Sequence, residues 1–182
     1  MKIQIILLIF LLSIGTASAA KIMVVPHTQD VQPGDFFTAD IKIIPQGANI
    51  AGWEFDLVFN PGLVQVISVT EEDFLKEDEA STLFLAGTIN NIEGKLVGVT
   101  SAITTPGKSV KKPGIAATIH LKALQVPGTS PLLLQSVTIG DANGAPLPVS
   151  INSGEVVLIP EIASIGLLAS GLIGLIVIKR GK

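Results

Sequence analysis

The sequence predicts an all-β domain, a β-sandwich or jelly roll, set between two apolar flanks. Three observations predict it. First, apolar and polar residues alternate. Trp53, Phe55, Leu57 and Phe59 interleave with Glu54, Asp56 and Val58; Ala39, Ile41 and Ile43 interleave with Asp40 and Lys42. Ile115, Ala117, Ile119, Leu121 and Ala123 repeat the pattern around Ala116, Thr118, His120 and Lys122. A period of two sends alternate side chains to one buried sheet face. Second, turn-forming pairs recur at short intervals, among them Pro33-Gly34, Asn60-Pro61-Gly62, Glu93-Gly94, Pro127-Gly128 and Asn143-Gly144. Third, no stretch between the flanks holds a long helical period. Short strands closed by such turns indicate a sandwich.

The elements follow in chain order. Met1-Lys2 opens the chain, residues 3–12 are apolar apart from Gln4, and Ala17-Ser18-Ala19 closes the segment. A basic start, an apolar core and a small-x-small site make residues 1–19 a signal peptide, so the mature chain begins near Ala20. Strands are expected at 22–25, 37–44, 52–59, 63–70, 82–89, 95–102, 115–123, 132–140, 147–151 and 155–159. Residues 20–159 thus form one domain, long enough to bury a core without disulfides. Pro160 then breaks the chain before the apolar, uncharged run 162–178, which ends in Lys179-Arg180-Gly181-Lys182. Its seventeen residues would rise about 25 Å as a helix, at the lower edge for spanning a bilayer. The basic cluster fits a cytoplasmic end, which leaves the domain outside. Residues 160–182 are read as a transmembrane anchor or sorting signal.

Composition narrows the function. The chain of 182 residues has no cysteine, which excludes disulfides, thiolate metal sites and cysteine nucleophiles. With His27 and His120 as its only histidines, a multi-histidine metal centre is excluded too. The flanks hold Lys2, Lys179, Arg180, Lys182 and Glu161, so residues 20–159 carry eight bases against fourteen acids, net −6. An acidic domain is a poor fit to nucleic acid, whose binding releases counterions through Lys and Arg. No nucleophile elbow, phosphate loop or zinc-protease helix is present, so no catalytic residue and no cofactor are expected. His27 and His120 read as solvated histidines. The acidic run Glu71-Glu72-Asp73 and Glu77-Asp78-Glu79 reads as a solvated loop or short helical turn, with calcium binding the alternative and Phe74-Leu75 tucked under the sheet. Asp141-x-Asn143-Gly144 reads as a tight turn rather than a calcium loop. There is no tyrosine, and the single tryptophan falls on the apolar phase of its strand. Exposed rings for stacking on sugars are therefore scarce.

The order of motifs carries a resemblance. Val31-Gln32-Pro33-Gly34-Asp35 opens a strand, and Gly52-Trp53-Glu54-Phe55-Asp56-Leu57-Val58-Phe59-Asn60-Pro61 is followed by Leu63 and Val66. Pro113-Gly114-Ile115-Ala116-Ala117-Thr118-Ile119, Gly128-Thr129-Ser130-Pro131-Leu132, Asp141-Ala142-Asn143-Gly144 and Gly154-Glu155-Val156 come next. Over nearly all of residues 21–159 the chain resembles a cohesin domain. The resemblance implies a jelly-roll β-sandwich of about nine strands that binds a calcium-loaded dockerin module, with the calcium held by the partner. It also implies that the polar position before the Asn60-Pro61 turn, Glu54, meets the partner. Asp56 and Val58 leave the same strand face as Glu54, and Gly52 stands where the family often has Asn. The tail, through Pro160, Glu161, Lys179 and Arg180, resembles the PEP-CTERM and PEF-CTERM sorting tails; a permanent anchor is the alternative. The resulting expectation is an exported, surface-held module that binds a dockerin-bearing extracellular protein without covalent chemistry, polysaccharide-degrading enzymes being the expected cargo. The alternatives are a structural or adhesive envelope protein and a carbohydrate-binding module of the same fold.

Overall fold

The computed structural model describes residues 19–159. Residues 1–18 of the expected signal peptide lie outside the described residues. So do residues 160–182, with Pro160, Glu161, Lys179 and Arg180. Among the described residues no helix is long and apolar enough to cross a membrane.

Eleven strands run β1 (Ala20–Val25), β2 (Thr28–Val31), β3 (Phe36–Ile44), β4 (Gly52–Phe59), β5 (Val64–Glu71), β6 (Thr82–Asn90), β7 (Lys95–Ile103), β8 (Gly114–Ala123), β9 (Gly128–Gly140), β10 (Val149–Asn152) and β11 (Gly154–Leu158). Two short 3₁₀ turns, Asp73–Leu75 and Glu77–Glu79, join β5 to β6. One sheet has the order β10-β1-β3-β8-β5, the other β2-β11-β9-β4-β7-β6. The two sheets face each other across one apolar core. The alternation read from the sequence sets which side chains enter it. Trp53, Phe55, Leu57 and Phe59 of β4 are buried, as are Ile41 and Ile43 of β3 and Ala117, Ile119 and Leu121 of β8. Truncating any one of the fully buried Leu or Ile side chains costs about 2–5 kcal/mol.

The count of about nine strands becomes eleven for a physical reason. The first and last strands each cross from one sheet to the other. β1 pairs in parallel with β10, and β2 in parallel with β11. Both crossing strands run from the same end of the sandwich to the other. The ranges expected from sequence already divide the last crossing strand into 147–151 and 155–159; what they lack is the second half of the first, β2. Two further corrections concern boundaries. β2 was expected as loop because Thr28-Gln29-Asp30 shows no apolar alternation; β11 recruits it by parallel backbone pairing, with the Thr28 hydroxyl donating to Glu155 and Val31 buried in the core. β9 starts at Gly128 rather than 132, because Pro131 lies opposite Glu155 inside the ladder. The remaining strand ends fall within a residue or two of expectation, as helix and strand ends commonly do.

The chain alternates between the two ends of the sandwich. Segments 32–35, 60–63, 91–94 and 124–127 gather at the end where β11 finishes. Segments 45–51, 72–81, 104–113 and 141–148 gather at the other. At that other end Phe74 and Leu75 tuck under the sheet as expected, and the acidic run forms the two 3₁₀ turns. Asp141 makes the expected tight turn: its Oδ1 accepts the N–H groups of Asn143 at 2.8 Å and Ala145 at 2.9 Å. Those two N–H groups favour the charged form and hold the Asp141 carboxyl below the usual aspartate range.

Candidate functional site

The candidate partner-binding residues sit on β4, which is interior to the six-stranded sheet, flanked by β9 and β7. Its buried phase points into the core. Its other phase, Gly52, Glu54, Asp56 and Val58, points out of the sandwich, as the alternation requires. The neighbouring strands extend this face in register. Glu54 lies beside Thr138 of β9 and Thr100 of β7, and Thr100 beside Leu85 of β6. Gly52 lies between Gly140 and Ala102, with Leu83 beyond. Val58 lies between Leu133 and Lys95. The face is therefore mixed. Leu83, Leu85, Val97 and Leu133 are large apolar side chains left exposed, and Glu54, Gln135, Thr138 and Thr100 sit among them. The row Gly140–Gly52–Ala102 has almost no side chain, so a partner can approach the backbone there.

Two bulges flank β4, one on each side. On β7, Leu96 and Val99 face Leu57 and Phe55, so Val97 and Gly98 together face the single residue Asp56. On β9, Ser136 and Val137 together face Phe55. An inserted residue bends the strand and leaves backbone groups unpaired. Gly98 has φ +74 and Ser136 has φ +50, the left-handed conformation such insertions use. Asp56 completes the β7 bulge: its Oδ1 accepts the Gly98 N–H at 2.7 Å. A shallow pocket of about 240 Å³ opens beside it, lined by Asp56, Leu57, Val58, Lys95, Val97 and Gln135.

The three candidate residues are thus brought together on one face but do different things. Glu54 is exposed, and its carboxylate has no partner among the described residues. Val58 is half-buried beside Lys95. Asp56 is half-buried and has one oxygen committed to the bulge. Asp56 was expected to be simply solvated; the structure gives it an internal hydrogen bond as well. Removing the carboxylate leaves a half-buried N–H without its acceptor, at about 1–3 kcal/mol. Asp56→Ala is therefore expected to lose stability by about that amount. Asp56→Asn, which keeps an acceptor oxygen, is expected to lose clearly less. Chemical denaturation of both variants tests the assignment, and equal stability of Asp56→Ala and wild type would contradict it.

Several residues fall away from this face. His120 lies on the outer face of the other sheet, with its Nε2 3.2 Å from the Thr70 hydroxyl. Trp53 is only 3% exposed, stacked on Phe55 at 5.7 Å and tilted to Phe84 at 6.3 Å. It does not present a ring to a sugar. Glu71, from the acidic run, is instead a tie between the sheets: it accepts hydrogen bonds from Ser101 and Thr82 and pairs with Lys76 at 3.2 Å. Glu77 pairs with Lys112, which holds that ammonium above its ordinary range, through the hydrogen bond first and the charge second. Among the described residues no three His, Asp or Glu side chains converge on a metal position. The bulge residues Gly98 and Ser136, and the exposed leucines of β6, were not singled out from sequence. An isolated Gly inside a strand pattern is the signal that points to the first of these.

Comparison with known proteins bears on the family and the fold. The family model described as Cohesin domain matches residues 22–158. No curated protein matches the chain. Among solved structures, a cohesin from Clostridium thermocellum in a novel type I cohesin–dockerin complex is 17% identical with a TM-score of 0.64, covering 78% of this chain and 100% of that one. A solution structure from Clostridium acetobutylicum is 18% identical with a TM-score of 0.62, covering 78% and 92%. A non-cellulosomal cohesin from the hyperthermophilic archaeon Archaeoglobus fulgidus is 13% identical with a TM-score of 0.59, covering 78% and 92%. At such identities the likeness is one of fold.

Proposed function

The chain belongs to the cohesin family, and from that premise we propose that it is a surface-held binding module whose six-stranded face captures a dockerin-bearing protein. One observation carries the reading. The outer face of β9-β4-β7-β6 combines exposed Leu83, Leu85, Val97 and Leu133 with the exposed carboxylate of Glu54. Large apolar anchors interleaved with polar groups are what a protein interface uses. Glu54 supplies a charge for the partner's hydroxyls, amides or cations, and the net −6 of residues 20–159 favours a basic contact surface on that partner. The module performs no covalent chemistry. Its work is to hold the partner at the cell envelope, polysaccharide-degrading enzymes among the cargo.

Location completes the proposal. Residues 1–19 direct export and are removed. Residues 160–182 hold the domain to the outer side of the membrane, through the apolar run 162–178 and the basic end Lys179-Arg180, with Pro160-Glu161 as the sorting motif. The test is a pull-down of dockerin modules encoded in the same genome, using the full chain in detergent, with and without calcium. Calcium-dependent capture is expected, because calcium shapes the dockerin and not this chain. Capture unaffected by calcium removal, or no capture of any dockerin, would favour a structural or adhesive role.

A further inference from the structure

The two ends of the sandwich differ in chemistry. At the end where β11 finishes, the exposed large apolar side chains are Phe36 at 72%, Ile92 at 92%, Val126 and Ile159. They come from four separate places: the start of β3, the β6–β7 turn, the β8–β9 connection and the last described residue. The connecting segments at the opposite end, 45–51, 72–81, 104–113 and 141–148, include no exposed large apolar side chain among the described residues; the exposed Leu83 nearby belongs to the outer face of β6. That end carries instead the acidic run and Lys108, Lys111 and Lys112.

An isoleucine that is almost wholly exposed at the tip of a turn does nothing for the fold. The turn itself is held by Asn90, whose Oδ1 accepts the N–H groups of Ile92 at 3.1 Å and Glu93 at 3.0 Å. Phe36 likewise lies outside the core, with the Lys122 ammonium over its ring at 5.3 Å. Lys95 pairs with Glu93 at 3.3 Å beside Ile92. Apolar tips with long cationic side chains at their base are the arrangement of an interfacial contact, in which the tips enter and the charged heads stay at the headgroup level.

The course of the chain says what this end faces. Ile159 donates its N–H to the Val31 carbonyl at 3.0 Å and so leaves the sandwich at this same end. Three residues later the sequence enters the uncharged apolar run 162–178. A linker this short keeps the rim within about 10 Å of whatever receives that run, since each residue spans at most about 3.3–3.6 Å.

We propose that the rim formed by Phe36, Ile92, Val126 and Ile159 seats directly on the lipid surface, so that the domain stands upright on the membrane and does not swing on a tether. This rests on the reading of residues 160–182 as a membrane-inserting segment. Its consequence concerns the binding face. The long axis of the strands stands away from the bilayer, and Leu83 and Glu54, toward the far end of β6 and β4, are held clear of the membrane for a partner.

The test uses the full chain in phosphatidylcholine vesicles. The chain has no cysteine, so single reporters go in cleanly at Gln32→Cys and Gln125→Cys on the rim and at Lys111→Cys at the far end. Each carries an environment-sensitive fluorophore. The expected result is severalfold protection of the two rim labels from aqueous iodide and their quenching by doxyl-labelled lipid, with the far label fully aqueous. Phe36→Ser with Ile92→Ser and Val126→Ser is expected to abolish that protection while the chain still sediments with the vesicles. A chain that stays in the supernatant overturns the anchor reading and the seating together. A chain that sediments with all labels aqueous overturns the seating alone. Rim labels protected from iodide but untouched by doxyl lipid would mean that protein, such as a second copy, covers the rim, and that also overturns the proposal.

Discussion

Trp53→Ala is expected to be among the most damaging single substitutions in the domain, at about 3–5 kcal/mol. The residue is 3% exposed on a strand flanked on both sides, so no edge can collapse inward to fill the space it leaves. It also loses its stacking on Phe55 and its contact with Phe84, and such ring pairs add about 0.5–1.5 kcal/mol beyond area. A domain of this size has total stability of about 5–15 kcal/mol, so one substitution removes a large share. The indole Nε1 is buried with no hydrogen-bond partner among the described residues. Trp53→Phe therefore breaks no protein hydrogen bond and is expected to cost much less than Trp53→Ala. Urea titration of both variants checks this. A loss below about 1 kcal/mol for Trp53→Ala, far under the range for a buried ring, would mean the ring is exposed and would revive the sugar-binding alternative.

The second large effect is on binding. Glu54→Ala is expected to leave folding intact, because the side chain is exposed and makes no hydrogen bond or ion pair among the described residues, and surface substitutions of that kind usually stay within about 0.5 kcal/mol. Against a partner the same carboxylate is desolvated and must be hydrogen-bonded. Losing one such contact at an interface costs about 2–5 kcal/mol, which is roughly thirtyfold to several thousandfold in affinity. Asp56 does not belong in the same experiment. Its carboxylate supports the Gly98 bulge, so a double variant of Glu54 and Asp56 mixes lost binding with lost stability. Glu54→Ala alone separates the two.

What was legible in the sequence follows the period of two. β4 was read as 52–59 and forms at Gly52–Phe59, because nothing interrupts the alternation from Trp53 to Phe59. The outward direction of Glu54, Asp56 and Val58 came from the same pattern. What was not legible depends on pairing between distant strands. Thr28 to Val31 becomes a strand only because β11 offers it an edge. The bulges lie where alternation slips: Leu96 and Val99 are both buried three residues apart, and Leu134 and Ile139 five apart. In the sequence only the isolated Gly98 hints at the first of them. Their meaning, a carboxylate from β4 holding the N–H of Gly98, needs the register of two strands some forty residues apart. The exposed leucines of β6 were hidden for a related reason. In Thr82-Leu83-Phe84-Leu85 three consecutive apolar residues do not say which phase faces in, and it is Phe84, opposite the buried Ser101, that packs on the core.

The central claim is that the outer face of β9-β4-β7-β6 binds a dockerin. Titration calorimetry tests it most directly, using the full chain in detergent, calcium-saturated dockerin modules from the same genome, and three proteins: wild type, Glu54→Ala, and Thr38→Ala on the outer face of the opposite sheet. The predicted result is saturable binding to wild type and Thr38→Ala with a loss of at least about thirtyfold in Glu54→Ala. Equal affinity in Glu54→Ala and wild type, or a loss confined to Thr38→Ala, would contradict it.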